Sequence, residues 1–256
     1  MERRFISVRI SLGAIALSTA ISSGCVDTSK AIERGYLVST VEIVENTDSF
    51  IGQSVAVRND IVETIGKDGF ILDQDSVLNG ETILVIDPSQ TLITVPNTET
   101  PEVIVSGTVE KLNLSQFAQK HNLNLDSNLY SQYEGKPAIV ATSVILSPDP
   151  HDLTKQPELY YDRPLAIQGE VDEIGDFGVF ELDEEAAFGG EDLIVVSQQP
   201  IELKEEQNVI IYGVLRPFVA EELKRDYDLD WDLETQQQLE AKYEQKPVFV
   251  AEKIRL

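Results

Sequence analysis

Residues Phe70-Ile71-Leu72-Asp73 and Phe180-Glu181-Leu182-Asp183 are nearly the same stretch, 110 positions apart. Outward from there, residues 50–87 lie on residues 160–197 without a gap. Gly80-Glu81 falls on Gly190-Glu191, and Ile83-Leu84-Val85-Ile86 on Leu193-Ile194-Val195-Val196. Tyr133-Glu134-Gly135-Lys136-Pro137 meets Tyr243-Glu244-Gln245-Lys246-Pro247 at the same offset of 110. Between these blocks, Val103 to Val109 matches Val209 to Leu215 at an offset of 106, with Gly107 on Gly213. The second copy is therefore four residues shorter before that strand and four longer after it. A period near 110 is too long for a solenoid repeat and reads as a duplicated domain.

Each copy reads mainly as β with short helices. Leu165, Ile167, Gly169 and Val171 alternate with Ala166, Gln168, Glu170 and Asp172, the period of a half-buried strand; Val55, Val57, Asn59 and Ile61 stand at the matching places. Gly169 inside this strand suggests a bulge or sharp bend. A turn containing Gly69, or Gly178, leads to the Phe-x-Leu-Asp strand, and a loop ending in Gly80, or Gly190, leads to a third strand. The fourth runs from Val103 to Lys111, or Val209 to Arg216. Helical spacing follows in Leu114, Phe117, Ala118 and His121, and in Val219, Leu223 and Tyr227. Asp126 and Asp232 are placed to cap a second helix. Its apolar positions are Leu129 and Tyr133 in the first copy, Leu239 and Tyr243 in the second. Pro137 and Pro247 end it and open the last strand, where a missing N–H costs no ladder bond.

Five short strands with a bent first strand make a small barrel, so the chain is expected to hold two tandem five-stranded barrels. The succession of Phe-x-Leu-Asp strand, Gly-Glu, Val-rich strand, Gly-containing strand and Tyr-Glu-x-Lys-Pro strand resembles the OB-fold-type modules of bacterial envelope proteins. The resemblance covers residues 48–148 and 158–256, with 149–157 as a linker. The usual OB helix lies between strands three and four, whereas here the helices fall between four and five. An SH3-like or permuted small barrel therefore stays open.

The N-terminus carries a targeting pattern. Arg3, Arg4 and Arg9 precede an uncharged run from Ile10 to Ile21, then Ser22, Ser23 and Gly24 lead to the single cysteine, Cys25. A run this short falls below the ~20 residues that span a bilayer and reads as a secretory signal over residues 1–24. Ile21-Ser22-Ser23-Gly24-Cys25 resembles a bacterial lipobox, although Ser22 stands where Leu is usual. The resemblance implies that Cys25 is acylated, becomes the mature N-terminus and anchors an extracytoplasmic protein in a bacterial membrane. An ordinary secretory signal or an uncleaved anchor is the alternative. Residues 25–47 then form a tether that holds an acidic head off an anionic surface.

Composition narrows the function further. Hydrophobic residues make up 42% and charged residues 25%, which is ordinary for a folded chain. Acids outnumber bases 45 to 20, and the formal charge of −25 becomes −27 once residues 1–24 are removed. Such a surface repels phosphate chains, so nucleic acid is not an expected partner. One cysteine makes no internal disulfide and no multi-cysteine metal site. No phosphate loop, nucleophile elbow or His-Glu-x-x-His motif is present, so no catalytic residue, cofactor or metal ligand is assigned. His121 matches Tyr227, as a half-buried helix position would, and His151 falls in the linker, where solvation is expected. Phe70 and Phe180 could be stacking platforms, but each shares a face with the Leu two residues on and reads as core. Asp226, Asp228, Asp230, Asp232 and Glu234 alternate like the start of a calcium loop, yet Trp231 and Gln237 occupy the places that need Gly and Glu. They read as a solvated turn between helices. The sequence thus points to a non-enzymatic binding or scaffold module, anchored through Cys25, with an envelope protein as partner. A cation-binding or cation-stabilised envelope protein is the second reading, and an enzyme with an unrecognised site the third.

Overall fold

The alternation of residues 54–65 produces a long strand, β1 (Ser54–Ile65), and the Phe-x-Leu-Asp stretch a short one, β2 (Gly69–Asp73). β3 (Ile83–Ile86), β4 (Glu102–Lys111) and β5 (Pro137–Leu146) complete the N-terminal half. Two short helices, α1 (Thr40–Glu45) and α2 (Thr47–Phe50), precede β1. Helices α3 (Leu114–His121) and α4 (Ser127–Tyr130) lie between β4 and β5, and a 3-10 turn, Ser131–Tyr133, extends α4. This computed structural model describes residues 37–73, 81–90, 93, 100–183, 191–198 and 202–256. Cys25, the signal and tether residues 1–36, Gly80 and Gly190 lie outside the described residues.

Hydrogen bonding closes the first five strands into a barrel. β1, β2 and β3 form an antiparallel meander, β3 runs parallel to β5, and β4 pairs antiparallel with both β5 and β1. Val55, Val57, Phe70, Leu72, Val105 and Ile139 fill the interior. Ile71, Leu84, Ile86 and Val140 point outward and are covered by Phe117, Leu125 and Tyr130 from the helical segment. With both faces covered, every residue of β3 is buried, which is why it reads as an unbroken apolar run.

The C-terminal half begins with α5 (Pro150–Lys155) and a 3-10 turn, Pro157–Leu159. Strands β6 (Pro164–Ile174), β7 (Val179–Asp183), β8 (Leu193–Ser197) and β9 (Asn208–Pro217) follow. Helices α6 (Ala220–Tyr227) and α7 (Leu233–Tyr243) precede β10 (Pro247–Arg255). β6, β7 and β8 pair antiparallel, β8 is parallel to β10, and β9 pairs antiparallel with β10 and β6. Matching bonds occur in each half. Leu114 N–H donates to Glu134 at 3.0 Å and Ala220 N–H to Glu240 at 2.7 Å. Gly107 and Gly213 lie where two strands come unusually close: an added Cβ would sit 2.4 Å from the Val140 carbonyl oxygen and 2.0 Å from that of Val250.

Four local expectations change. Residues 149–157 are not an exposed linker: Asp149 is exposed, but Pro150–Lys155 is helical and Leu153 is wholly buried among Leu146, Tyr160, Leu165 and Phe249. The late tether residues behave alike, since α1 buries Ile43 against Val55 and Val57. Ile43 and Leu153 stand 110 residues apart, each in a helix of six residues, too short for periodicity to mark its buried face. Gly69 belongs to β2, and the turn before it is Gly66–Asp68; a Cβ on Gly69 would come within 2.7 Å of the Tyr130 hydroxyl. The register break in β6 falls between Val171 and Ile174, not at Gly169, which pairs regularly with Val209.

The halves meet through outward-facing residues. Ile104 on β4 packs with Ala166 on β6 and Ile210 on β9, joined by Leu37, Ile145 and Tyr212. A single backbone register, Leu146 to Leu165, continues the sheet across the junction.

Candidate functional site

An open cleft of about 450 Å³ lies between the β6–β7 turn and the α6–α7 turn, within the range of small-ligand sites. Phe177 and Ile174 form one wall, Leu229 and Trp231 the other, with Leu203 and Phe180 nearby. Asp228, Asp230, Ser197 and Gln198 supply its polar groups.

The two turns hold each other. Trp231 is 2% exposed, and its ring stacks on Phe218 at a centroid separation of 6.3 Å. Its indole N–H donates to the Phe177 carbonyl at 3.1 Å. The Trp231 carbonyl accepts from Lys224 Nζ, and from Gln236 at 3.3 Å. Phe177 takes φ +61°, a left-handed conformation costly for a bulky residue, and its side chain stays 49% exposed. A large apolar side chain is thus held in a strained turn and left in solvent, a combination found at ligand sites.

The same place in the N-terminal half carries a network of polar groups. Asp87 N–H donates to the Asp68 carbonyl at 2.8 Å, as Ser197 N–H does to Gly178 at 2.9 Å. Asp68 and Asp87 are buried, Gln90 donates to the Asp68 carboxylate at 2.7 Å, and Ser89 donates to Asp87. The Tyr130 hydroxyl donates to the Ile65 carbonyl at 2.6 Å, and burial pushes this phenol up to about 12. Where this half has Lys67, Asp68, Asp87 and Leu125, the C-terminal half has Phe177, Gly178, Ser197 and Trp231.

The alternating acids divide among several tasks. Asp226 is bound by Arg225 at 2.8 Å, and that hydrogen bond holds its carboxyl below the usual value. Asp232 caps α7 by accepting from Thr235 N–H at 2.8 Å, which lowers its pKa likewise. Asp228 and Asp230 stay exposed on the cleft rim. Among the described residues, no three His, Cys, Asp or Glu side chains are grouped to hold a metal ion, and no helix is long and apolar enough to cross a membrane.

The His121 ring lies tilted against Phe117 at a centroid separation of 4.4 Å and meets Glu110 at 3.1 Å. Burial opposes ionisation of Glu110, but hydrogen bonds from Lys120 and His121 outweigh it and lower its pKa. His151 is half-buried in the first turn of α5, not solvated, because Leu153 draws that helix onto the sheet. Phe70 and Phe180 are both buried in strand cores.

A second electrostatic cluster sits at the junction. Arg58 lies 2.7 Å from both Glu102 and Asp149, and also donates to the Ser147 hydroxyl at 3.0 Å. Burial, opposed by Arg58 and reinforced by Asp149, Asp60 and Asp152, pushes Glu102 up to about 7. Burial raises Asp60 and Asp152 as well.

Sequence reasoning places Trp231 among the acids without assigning it a role, and passes over Phe177. The usable signal is the divergence between matched positions, Lys67 against Phe177 and Leu125 against Trp231. Comparison of the chain with protein-family models and with curated proteins finds no match.

Proposed function

We propose that this chain is a bacterial envelope lipoprotein, acylated at Cys25, that carries two tandem OB-like barrels and acts as a non-enzymatic binding module. The strand order 1-2-3-5-4-1, with strands three and five parallel, supports an OB-like reading of the first half, and the same pairings among β6 to β10 support extending it to the second. The helices stand between strands four and five in both halves, as the sequence indicates. The buried pair Ile43 and Leu153 extends the correspondence into the segments before each first strand. The lipobox-like Ile21 to Cys25 supports membrane attachment, and the formal charge of −25 argues against a nucleic-acid partner.

The single observation that carries the binding reading is the cleft itself. One half has the hydrogen-bonded Asp68, Asp87 and Gln90 at this place, while the other has a cleft with a strained, exposed Phe177 over a pinned Trp231. Divergence at these matched positions fits one structural copy and one ligand-binding copy. The experiment is affinity capture of envelope proteins on the detergent-solubilised full-length lipoprotein, with intact-mass analysis of the bait. A partner enriched on wild type, and a mass with acylated Cys25 at the N-terminus, support the reading. No enriched partner, or a retained segment 1–24, refutes the binding or the anchoring part respectively.

A further inference from the structure

We infer that the cleft between the β6–β7 and α6–α7 turns takes a basic segment of a partner protein, anchored by an aromatic or branched aliphatic side chain. This rests on the binding reading above and specifies the chemistry of its partner. Phe177 and Trp231 make the cleft apolar on both sides. Phe177 is 49% exposed in a left-handed turn that glycine would adopt more easily, so its side chain is retained at a conformational cost. A buried aromatic anchor between such walls is the usual centre of a protein interface.

Charged groups come from both walls. Asp228 and Asp230 line the cleft from the α6–α7 turn, and Glu173 and Asp176 stand exposed in the β6–β7 segment opposite. No basic side chain is among the described lining residues, and the nearby Lys224 ammonium is already bound to the Trp231 carbonyl. Carboxylates on two walls are matched by several cations spaced along one chain better than by one small cation. The same charges repel anionic lipid surfaces and phosphate chains. Opposite charges at the rim speed encounter and select against acidic partners.

The test immobilises the full-length protein and selects from a random-sequence peptide library displayed on phage. Enriched peptides should combine Lys or Arg with an aromatic or aliphatic anchor. Their affinity should fall about tenfold in the Asp228→Asn, Asp230→Asn double variant, or about 1.4 kcal/mol for the two exposed carboxylates together. It should fall similarly in Phe177→Gly. These variants are chosen to keep the fold: Asn tolerates the left-handed conformation that Asp228 holds at φ +51°, Asp230 is exposed, and glycine suits φ +61° at Phe177. Far-ultraviolet circular dichroism checks that they do. Enriched peptides without basic residues, equal binding to the variants, or no enrichment would overturn the inference. An envelope partner whose capture survives the cleft variants would overturn it while leaving the binding-module reading in place. Cleft-dependent basic peptides with no captured envelope partner would do the reverse.

Discussion

Replacing Glu102 by Gln removes one proton-binding site from the junction and keeps the length of the side chain. The wild-type carboxyl lies 2.7 Å from Arg58 with 25% of its side-chain surface in solvent. Burial, together with Asp149, Asp60 and Asp152, outweighs Arg58 and lifts the pKa from 4.5 to about 7. Between these values the folded protein keeps a proton that the unfolded chain has released. The stabilising contribution of protonated Glu102 is therefore complete below pH 4.5 and is lost as pH rises through about 7. At about 1.4 kcal/mol per pH unit the interval corresponds to ~3 kcal/mol, and solvent contact reduces this to ~2 kcal/mol. Gln is neutral throughout, so the variant should match wild type near pH 4 and exceed it by ~2 kcal/mol near pH 8. Urea unfolding followed by circular dichroism, across this range at fixed salt, reads the difference. Parallel pH profiles for the two proteins, or a variant less stable at pH 8, would show Glu102 ionised and paired with Arg58, and would refute the reasoning.

The buried plugs give a second prediction: Ile43→Ala and Leu153→Ala should each cost ~2–5 kcal/mol in chemical denaturation, as for large-to-small changes in a packed core. By the same logic, a chain of residues 149–256 should unfold at higher urea than one of residues 158–256, which lacks Leu153. Gly213→Ala places a Cβ 2.0 Å from the Val250 carbonyl oxygen; it should abolish the cooperative transition or cost more than ~3 kcal/mol, and a loss under ~1 kcal/mol would contradict the close approach of β9 and β10. Phe177→Gly should raise stability by up to ~1 kcal/mol, because it releases a bulky residue from a left-handed turn. A destabilised Phe177→Gly protein would mean that the side chain holds the fold instead of lining a site.

Strands and helix caps are legible because their rules are local. Alternation locates β1 and β6, Asp126 and Asp232 cap the helices they precede, and Pro137 and Pro247 open the last strands. The offset of 110 also aligns equivalent positions of the two halves from the amino-acid sequence alone. Ile43 and Leu153 escape notice because each lies in a helix of six residues, too short to show a period, and what buries it is a distant strand. The cleft is illegible for a related reason. Phe177 and Trp231 lie 54 residues apart and are joined by a side-chain-to-carbonyl hydrogen bond. The cleft lies at matched positions where the two halves differ, Lys67 against Phe177 and Leu125 against Trp231.

The central claim is that ligand binding belongs to one half of the chain and to one place in it. Site-specific photo-crosslinking in intact membranes tests it most directly, with a photoreactive residue at position 177 and, in a second protein, at the matched position 67. The account predicts a discrete adduct with an envelope protein from position 177 and none from position 67. Equal adducts from both positions, or an adduct from position 67 alone, would contradict it.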